Sequence, residues 1–225
     1  MLTIHHAVKL YAPGIGLKEA SFQADAGDVV ALIGPNGSGK STLLKIICDV
    51  YRPDKGQCLL RGIPTHECKQ EIGYLPEIPY LVDALTGHQF LKYIAGMKGI
   101  SSFDEINQYL ALFEAETFAG SKLSFLSQGQ RKRIALIAAL MGNPYLLILD
   151  EPTNGFDTVT LLRIKEVLRK RSEQGKITIL SSHVLDFLKN VSSKVVFIRE
   201  GYTVHEERAL HNIEETYIEL YIQKS

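Results

Sequence analysis

The stretch "DVVALIGPNGSGKSTLLKIICDV", Asp28 to Val50, decides the fold. Its first part, Asp28 to Gly34, is a short apolar run stopped by glycine, the pattern of a buried strand. Its last part sets Leu43, Leu44, Ile46, Ile47 and Val50 at helical spacing. Between them "GPNGSGKS", Gly34 to Ser41, fits the phosphate-loop pattern G-x-x-x-x-G-K-[ST] in the strand-then-helix setting that the pattern needs. Its glycines let backbone N–H groups turn toward phosphate oxygens, and the helix start adds partial positive charge. On this reading Gly34, Pro35, Asn36, Gly37, Ser38, Gly39, Lys40, Ser41 and Thr42 cradle a nucleotide. Lys40 meets its β and γ phosphates, and Ser41 holds Mg²⁺.

Further along, "YLLILDEP" (Tyr145 to Pro152) and "KITILSSH" (Lys176 to His183) read as two more buried strands, and "SKVVFIREGYTVHEE" as a hairpin turning at Gly201. Strands alternating with helices imply an α/β core, and ligands of such sheets lie at the C-terminal strand edges. The strand ending at Asp150 and Glu151 delivers two carboxylates there. Asp150 would anchor the metal and Glu151 would act as general base on an attacking water. Alone, these acids would be an ordinary charged strand end; the upstream loop gives them their meaning.

From about Asp83 to Ala139 the periodicity is helical, with Ser102 or Asp104 as an N-cap. "HNIEETYIELYIQKS" predicts a terminal helix capped by Asn212. The expected fold class is α/β: a P-loop NTPase core of mainly parallel sheet, with an antiparallel β portion and an inserted helical lobe. It forms one domain, with residues 1–82 and 140–225 as the core lobe, 83–139 as the helical lobe and 212–225 as the C-terminal helix.

Composition restricts the partners. The 225 residues carry 25 basic and 25 acidic side chains, so no overall charge draws the chain to nucleic acid or an anionic membrane. No run approaches the roughly 18 apolar residues of a membrane-spanning helix. The start, "MLTIHHAVKLY", lacks signal-peptide regions, which predicts a cytoplasmic location. Cys48, Cys58 and Cys68 lack paired spacing and read as free thiols.

"LSQGQRKRIAL", Leu126 to Leu136, is left over by a plain P-loop kinase or GTPase reading. Leu126, Ser127, Gln128, Gly129 and Gln130 resemble the signature LSGGQ of the ATP-binding cassette (ABC) transporter nucleotide-binding subunits, with Gln128 replacing the first glycine. The other motifs of that family follow in order over nearly the whole chain. The resemblance implies the ABC ATPase fold, ATP and Mg²⁺ as cofactors, and a second ABC ATPase subunit, expected as a homodimer. In such a pair each signature closes over ATP held by the partner's phosphate loop. Ser127 offers a hydroxyl, Gly129 a close backbone approach to the γ-phosphate, and a helix opening at Gln130 a positive end. Glycine tolerates backbone angles that Gln128 does not, which puts one donor's geometry in question. The "RKR" run at 131–133 reads as a solvated helix face, not a nucleic-acid site.

The same resemblance makes His183 the switch histidine that orients Glu151, with Lys40 and Glu151 its catalytic companions. It places Asp157, in "TNGFD", in a D-loop at the dimer interface, and Tyr11 against adenine. "GYLPE" stands where the family's Q-loop is expected, with Glu77 in place of the usual glutamine. A carboxylate oxygen can serve as a metal ligand there, alongside Ser41 and Asp150. "IGYLPE", "LTGHQFLKYIAGMKGI" and "IEETYIELYI" are similar to ATPase subunits of ABC-2 type exporters, whose transmembrane permease is a separate chain. The implied function is ATP hydrolysis that drives substrate movement by that permease, with this subunit attached peripherally to the inner membrane face. The alternative is a soluble non-transport ABC ATPase, such as one of iron-sulphur assembly.

Overall fold

The computed structural model describes residues 1–100, 102–208 and 212–222. One ten-stranded sheet runs through it in the order β5-β4-β1-β2-β10-β9-β3-β8-β7-β6. Its parallel part comprises β9 (Lys194–Arg199), β3 (Val29–Ile33), β8 (Ile177–Ser181), β7 (Leu146–Leu149) and β6 (Ile72–Leu75). These runs are mostly apolar and buried because both sheet faces are covered. Along β3, Val29, Ala31 and Ile33 enter one core while Val30 and Leu32 enter the other. The three expected strands and the hairpin of β9 with β10 (Tyr202–Glu207) are present.

The antiparallel part is larger than the hairpin alone. β1 (Leu2–Ala12) pairs with β2 (Ile15–Ala24) and with β4 (Lys55–Leu60), which pairs with the short β5 (Ile63–Pro64). The parallel pairing of Tyr202 with Glu19 joins it to the rest of the sheet. This arm covers α1 (Lys40–Ile47) from one side, with Leu17, Phe22, Leu43 and Ile47 in a common core.

Helices fill the stretch between β6 and β7: α2 (Gly87–Met97), α3 (Asp104–Leu112) and α4 (Gln128–Leu140). Thr86 caps α2 through a reciprocal capping box with Gln89. At α3 the N-cap position is Phe103, not Ser102 or Asp104. The Ser102 hydroxyl nevertheless accepts from the Asp104 N–H at 3.2 Å, so it satisfies one free helix donor from a residue earlier. Helix α4 runs back against β6, where a Cβ on Gly73 would sit 2.0 Å from the Ala139 carbonyl oxygen. Glycine at 73 permits that approach.

Helix α5 (Thr158–Glu173) precedes β8, and α6 (Leu185–Val191) precedes β9. The terminal helix α7 (Ile213–Tyr221) starts after Asn212, whose side chain makes no capping bond; Glu214 and Glu215 stand in its first turn. The expected extension to 223–225 lies outside the described residues. Tyr221 donates to the carbonyls of Ile33 and Ile198, pinning α7 behind the end of β3. Cys48, Cys58 and Cys68 are free, and burial pushes the Cys58 thiol up to about 12.

Candidate nucleotide site

Strand β3 stops at Ile33, and the chain turns through Gly34–Gly39 into α1. Two glycines make that turn possible. A Cβ at Gly34 would lie 2.2 Å from the Ile198 carbonyl oxygen, and Gly39 has φ 111, where side chains are strained. The Lys40 ammonium is buried and donates to the carbonyls of Gly34 at 2.7 Å and Pro35 at 3.2 Å. Desolvation lowers its pKa, and the carboxylates of Glu151, Asp150 and Glu77 pull it back up.

Asp150 and Glu151 follow β7 at its C-terminal edge, directly beside this loop. Ser41 Oγ donates to Asp150 Oδ1 at 3.2 Å. Ser181, at the end of β8, donates to the same oxygen at 2.7 Å and accepts from the Glu151 N–H at 2.9 Å. The Glu151 backbone is left-handed, with φ 48, and its side chain is buried. Neither of its carboxylate oxygens accepts a hydrogen bond, although His183 Nε2 lies 3.0 Å from Oε1. Desolvation raises the Glu151 pKa; nearby His183 and Lys40 oppose that shift. Such a carboxylate is a stronger base than an exposed one.

Glu151 and His183 line one open cavity of about 350 Å³, together with Tyr11, Asn36 to Thr42 and Glu77. Tyr11, at the end of β1, is exposed; its hydroxyl lies 3.0 Å from Thr42 Oγ1, and its ring stands edge-on to Tyr51. Glu77 follows β6 on the exposed segment leading toward α2.

The signature residues lie elsewhere. Ser127, Gly129 and Gln130 line a separate depression with Glu114, Thr117, Phe118 and Arg133, and none of these residues borders the loop cavity. Helix α4 opens at Gln128, not at Gln130. Ser127 is its N-cap, accepting from the Gln130 N–H at 3.3 Å while the Gln130 side chain accepts from the Ser127 N–H at 2.9 Å. Leu126 is buried just before the cap. Gln128 therefore occupies the first helical position, outside the left-handed region, and the conformational objection to it is removed. Asp157 caps α5 by accepting from the Thr160 N–H at 2.7 Å and also pairs with Arg133. The Thr160 bond is the chief reason its pKa is lowered.

The expected solvated face at 131–133 is overturned. Arg131 pairs with Asp83 and donates to the Leu123 carbonyl, Arg133 reaches Asp157 and Phe113, and Lys132 is buried at 5% exposure. A run of charge conceals helical geometry: Lys132 shares a face with Ala135, Leu136 and Ala139, all buried. That spacing could have found it. Ser181 was also missed, and only its position at a strand end, beside the acids, signals it.

Comparison with known proteins agrees with this architecture. Residues 17–154 match the ABC transporter family. The peptide export ATP-binding protein SkfE of Bacillus subtilis is 31% identical over 89% of this chain and 86% of its own length. The lantibiotic transport ATP-binding protein SrtF of Streptococcus pyogenes is 30% identical over 96% of each. A bacterial ABC transporter cassette solved as a dimer superposes with a TM-score of 0.82 at 26% identity, over 92% of this chain and 98% of that one. Nothing in these matches supports a non-transport ATPase. Phosphate loop, acidic strand end, signature and relatives agree, and the chain belongs to the ABC transporter family as an ATP-binding and ATP-hydrolysing subunit.

Proposed function

We propose that two copies of this chain pair head to tail around ATP and Mg²⁺ and thereby drive a separate transmembrane permease, in the export direction. The observation that carries the catalytic part is the Glu151 carboxylate: buried, without a hydrogen bond, 3.0 Å from His183 and sharing a cavity with Lys40 and Ser41. Buried carboxylates normally find partners, so these oxygens are available to a water held above the phosphates.

Gly34 to Thr42 would wrap the phosphates, with Lys40 leaving its internal carbonyls for the β and γ oxygens. Tyr11 would stack on adenine. Glu151 would orient the attacking water and take its proton, and His183 would hold Glu151 and meet the γ-phosphate.

The donor set fits magnesium. Ser41, Asp150 and Glu77 offer only oxygen, and Mg²⁺ is held by one or two carboxylates plus substrate phosphates, not by a protein cage. Among the described residues no group of three or more His, Cys, Asp or Glu side chains could hold a metal alone, in keeping with that mode. The bound ion would neutralise charge on the phosphates.

Ser127, Gln128, Gly129 and Gln130 would meet the γ-phosphate of the partner's ATP, with Leu126 buried behind them and Asp157 at the interface. Nucleotide then acts as glue between subunits, and hydrolysis removes it. Residues 83–139 would move as a helical lobe against the core formed by 1–82 and 140–225. Among the described residues no helix is long and apolar enough to cross a membrane, so attachment would be peripheral, through the permease on its inner face. Export is supported by the name of SkfE, a peptide export ATP-binding protein.

The test is Glu151→Gln in size-exclusion chromatography with light scattering, with and without ATP, in low Mg²⁺ and after its restoration. Hydrolysis is expected to fall by about 100-fold or more, while ATP converts monomer to a trapped dimer. Normal hydrolysis by this variant would refute the base assignment. Tight ATP binding without pairing would refute the homodimer.

A further inference from the structure

Lys132 lies on α4, two residues beyond the signature, and its side chain reaches the turn that carries Glu151 in its own chain. It is buried, and its ammonium donates to the carbonyl of Glu151 at 2.8 Å and to that of Asn154 at 2.7 Å. The two carbonyls belong to one turn, closed by a bond from the Asn154 N–H to the Glu151 oxygen at 3.2 Å. Pro152 follows Glu151 inside that turn. Phe156 covers the ammonium, with its ring centroid 5.4 Å away.

Burying an ammonium is costly and persists only where acceptors compensate. Here the acceptors are the backbone that carries Glu151, held with φ 48, a strained region for a residue with a side chain. The opposite side of the same turn is held by Ser181, on the Glu151 N–H, and by Ser182, whose hydroxyl lies 2.8 Å from Thr153 Oγ1. Between these attachments the turn has little freedom, and so the carboxylate keeps its aim. Nearby, a Cβ on Gly129 would lie 3.0 Å from the Gly155 carbonyl oxygen, so the signature itself packs on the segment after the turn.

We infer that Lys132 is a positioning residue for ATP hydrolysis: its ammonium locks the Glu151–Asn154 turn and thereby ties the signature helix to the general base of the same subunit. This rests on the reading of Glu151 as that base. Burial lowers the Lys132 pKa, and the charges of Glu77, Glu151 and Asp150 counter it.

The test compares Lys132→Met, which keeps the stem and removes the donors, with Lys132→Gln, which keeps neutral donors. Hydrolysis and fluorescent-nucleotide affinity are measured in the wild-type and Glu151→Gln backgrounds. Lys132→Met is expected to lower kcat by about 10- to 100-fold with ATP affinity unchanged, since small misplacements of a catalytic group cost that much. Lys132→Gln should recover part of the rate, and in the Glu151→Gln background Lys132→Met should change the residual rate by less than about twofold. Hydrogen exchange at residues 151–156, which needs no turnover, should quicken in Lys132→Met while β7 stays protected. Wild-type kcat, an equal loss in both backgrounds, or unchanged exchange would overturn the proposal. Full hydrolysis by Glu151→Gln alone would instead overturn the base assignment beneath it.

Discussion

The phosphate loop at Gly34–Ser41 and the signature at Leu126–Gln130 both lead into a helix N-terminus, at Lys40 and at Gln128, but their surroundings differ. Around the loop the chain gathers a cation (Lys40), two carboxylates (Glu77 and Glu151), a histidine (His183) and an exposed aromatic ring (Tyr11) in one cavity. Around the signature it gathers a capping box and, among the described residues lining the depression, one carboxylate (Glu114) and one cation (Arg133). Both ends can attract phosphate, because unpaired N–H groups and the helix dipole suffice for that. Only the first places carboxylates and a histidine together in one cavity with the helix end. The difference teaches that what sets the two helix ends apart is what neighbouring strand ends bring to them, and it is the basis of the proposal that the signature acts on nucleotide held by another chain.

The sharpest way to break this comparison is to damage one region in each of two chains. Lys40→Ala removes the loop's cation, and Gly129→Val blocks the signature's approach to phosphate and presses on the Gly155 carbonyl. Each variant alone is expected to lose ATP-dependent pairing entirely, as judged by light scattering. In a head-to-tail pair of one of each, both defects fall in the same site and the other site is intact. An equimolar mixture should therefore show ATP-dependent pairs, with about a quarter of the composite sites competent if the chains mix at random. No recovery on mixing would mean that loop and signature do not meet across subunits.

Much of the first region was legible because its physics is local. Strands buried on both faces are continuous apolar runs, so β3, β7 and β8 stand out, and the loop's glycines sit between strand and helix. The antiparallel arm was harder to read. Register shifts along β1 between Ile4 and Ala7, Ala7 and Lys9, and Leu10 and Ala12 break the alternation that marks a strand. Lys132 was misread for a related reason: charge is judged along the chain, whereas burial follows the helix face. Ser181 supports the site through bonds to Asp150 and the Glu151 N–H. These join two strands paired in space but far apart in sequence, and no local pattern records that.

A middle-sized effect is expected where the first region departs from its family. Glu77 borders the same cavity as Lys40, Ser41 and Glu151, and it adds a carboxylate where the family has an amide. A charged oxygen binds magnesium more strongly than a neutral one, so Glu77→Gln should raise the Mg²⁺ concentration for half-maximal ATP binding by about 3- to 10-fold, with kcat at saturating Mg²⁺ changed less. A titration of ATP binding against Mg²⁺ checks this. Identical curves would remove Glu77 from the metal shell.

The smallest effect is expected where the second region departs. In the family signature a glycine stands at the position of Gln128, which would matter if the site demanded angles that only glycine accepts. Gln128 instead begins α4, and Ser127 caps that helix with Gln130. Restoring the family residue, Gln128→Gly, should therefore leave ATP-dependent pairing unchanged. It should lower stability, because glycine carries more backbone freedom into the unfolded chain: by less than about 1 kcal/mol, or roughly 2 to 4 °C in melting temperature. A melting curve and a pairing assay on the same sample separate the two quantities. If pairing tightened instead, the side chain at 128 would be obstructing the partner's phosphate, and the signature would need a rearrangement on closure that its capped helix end does not display.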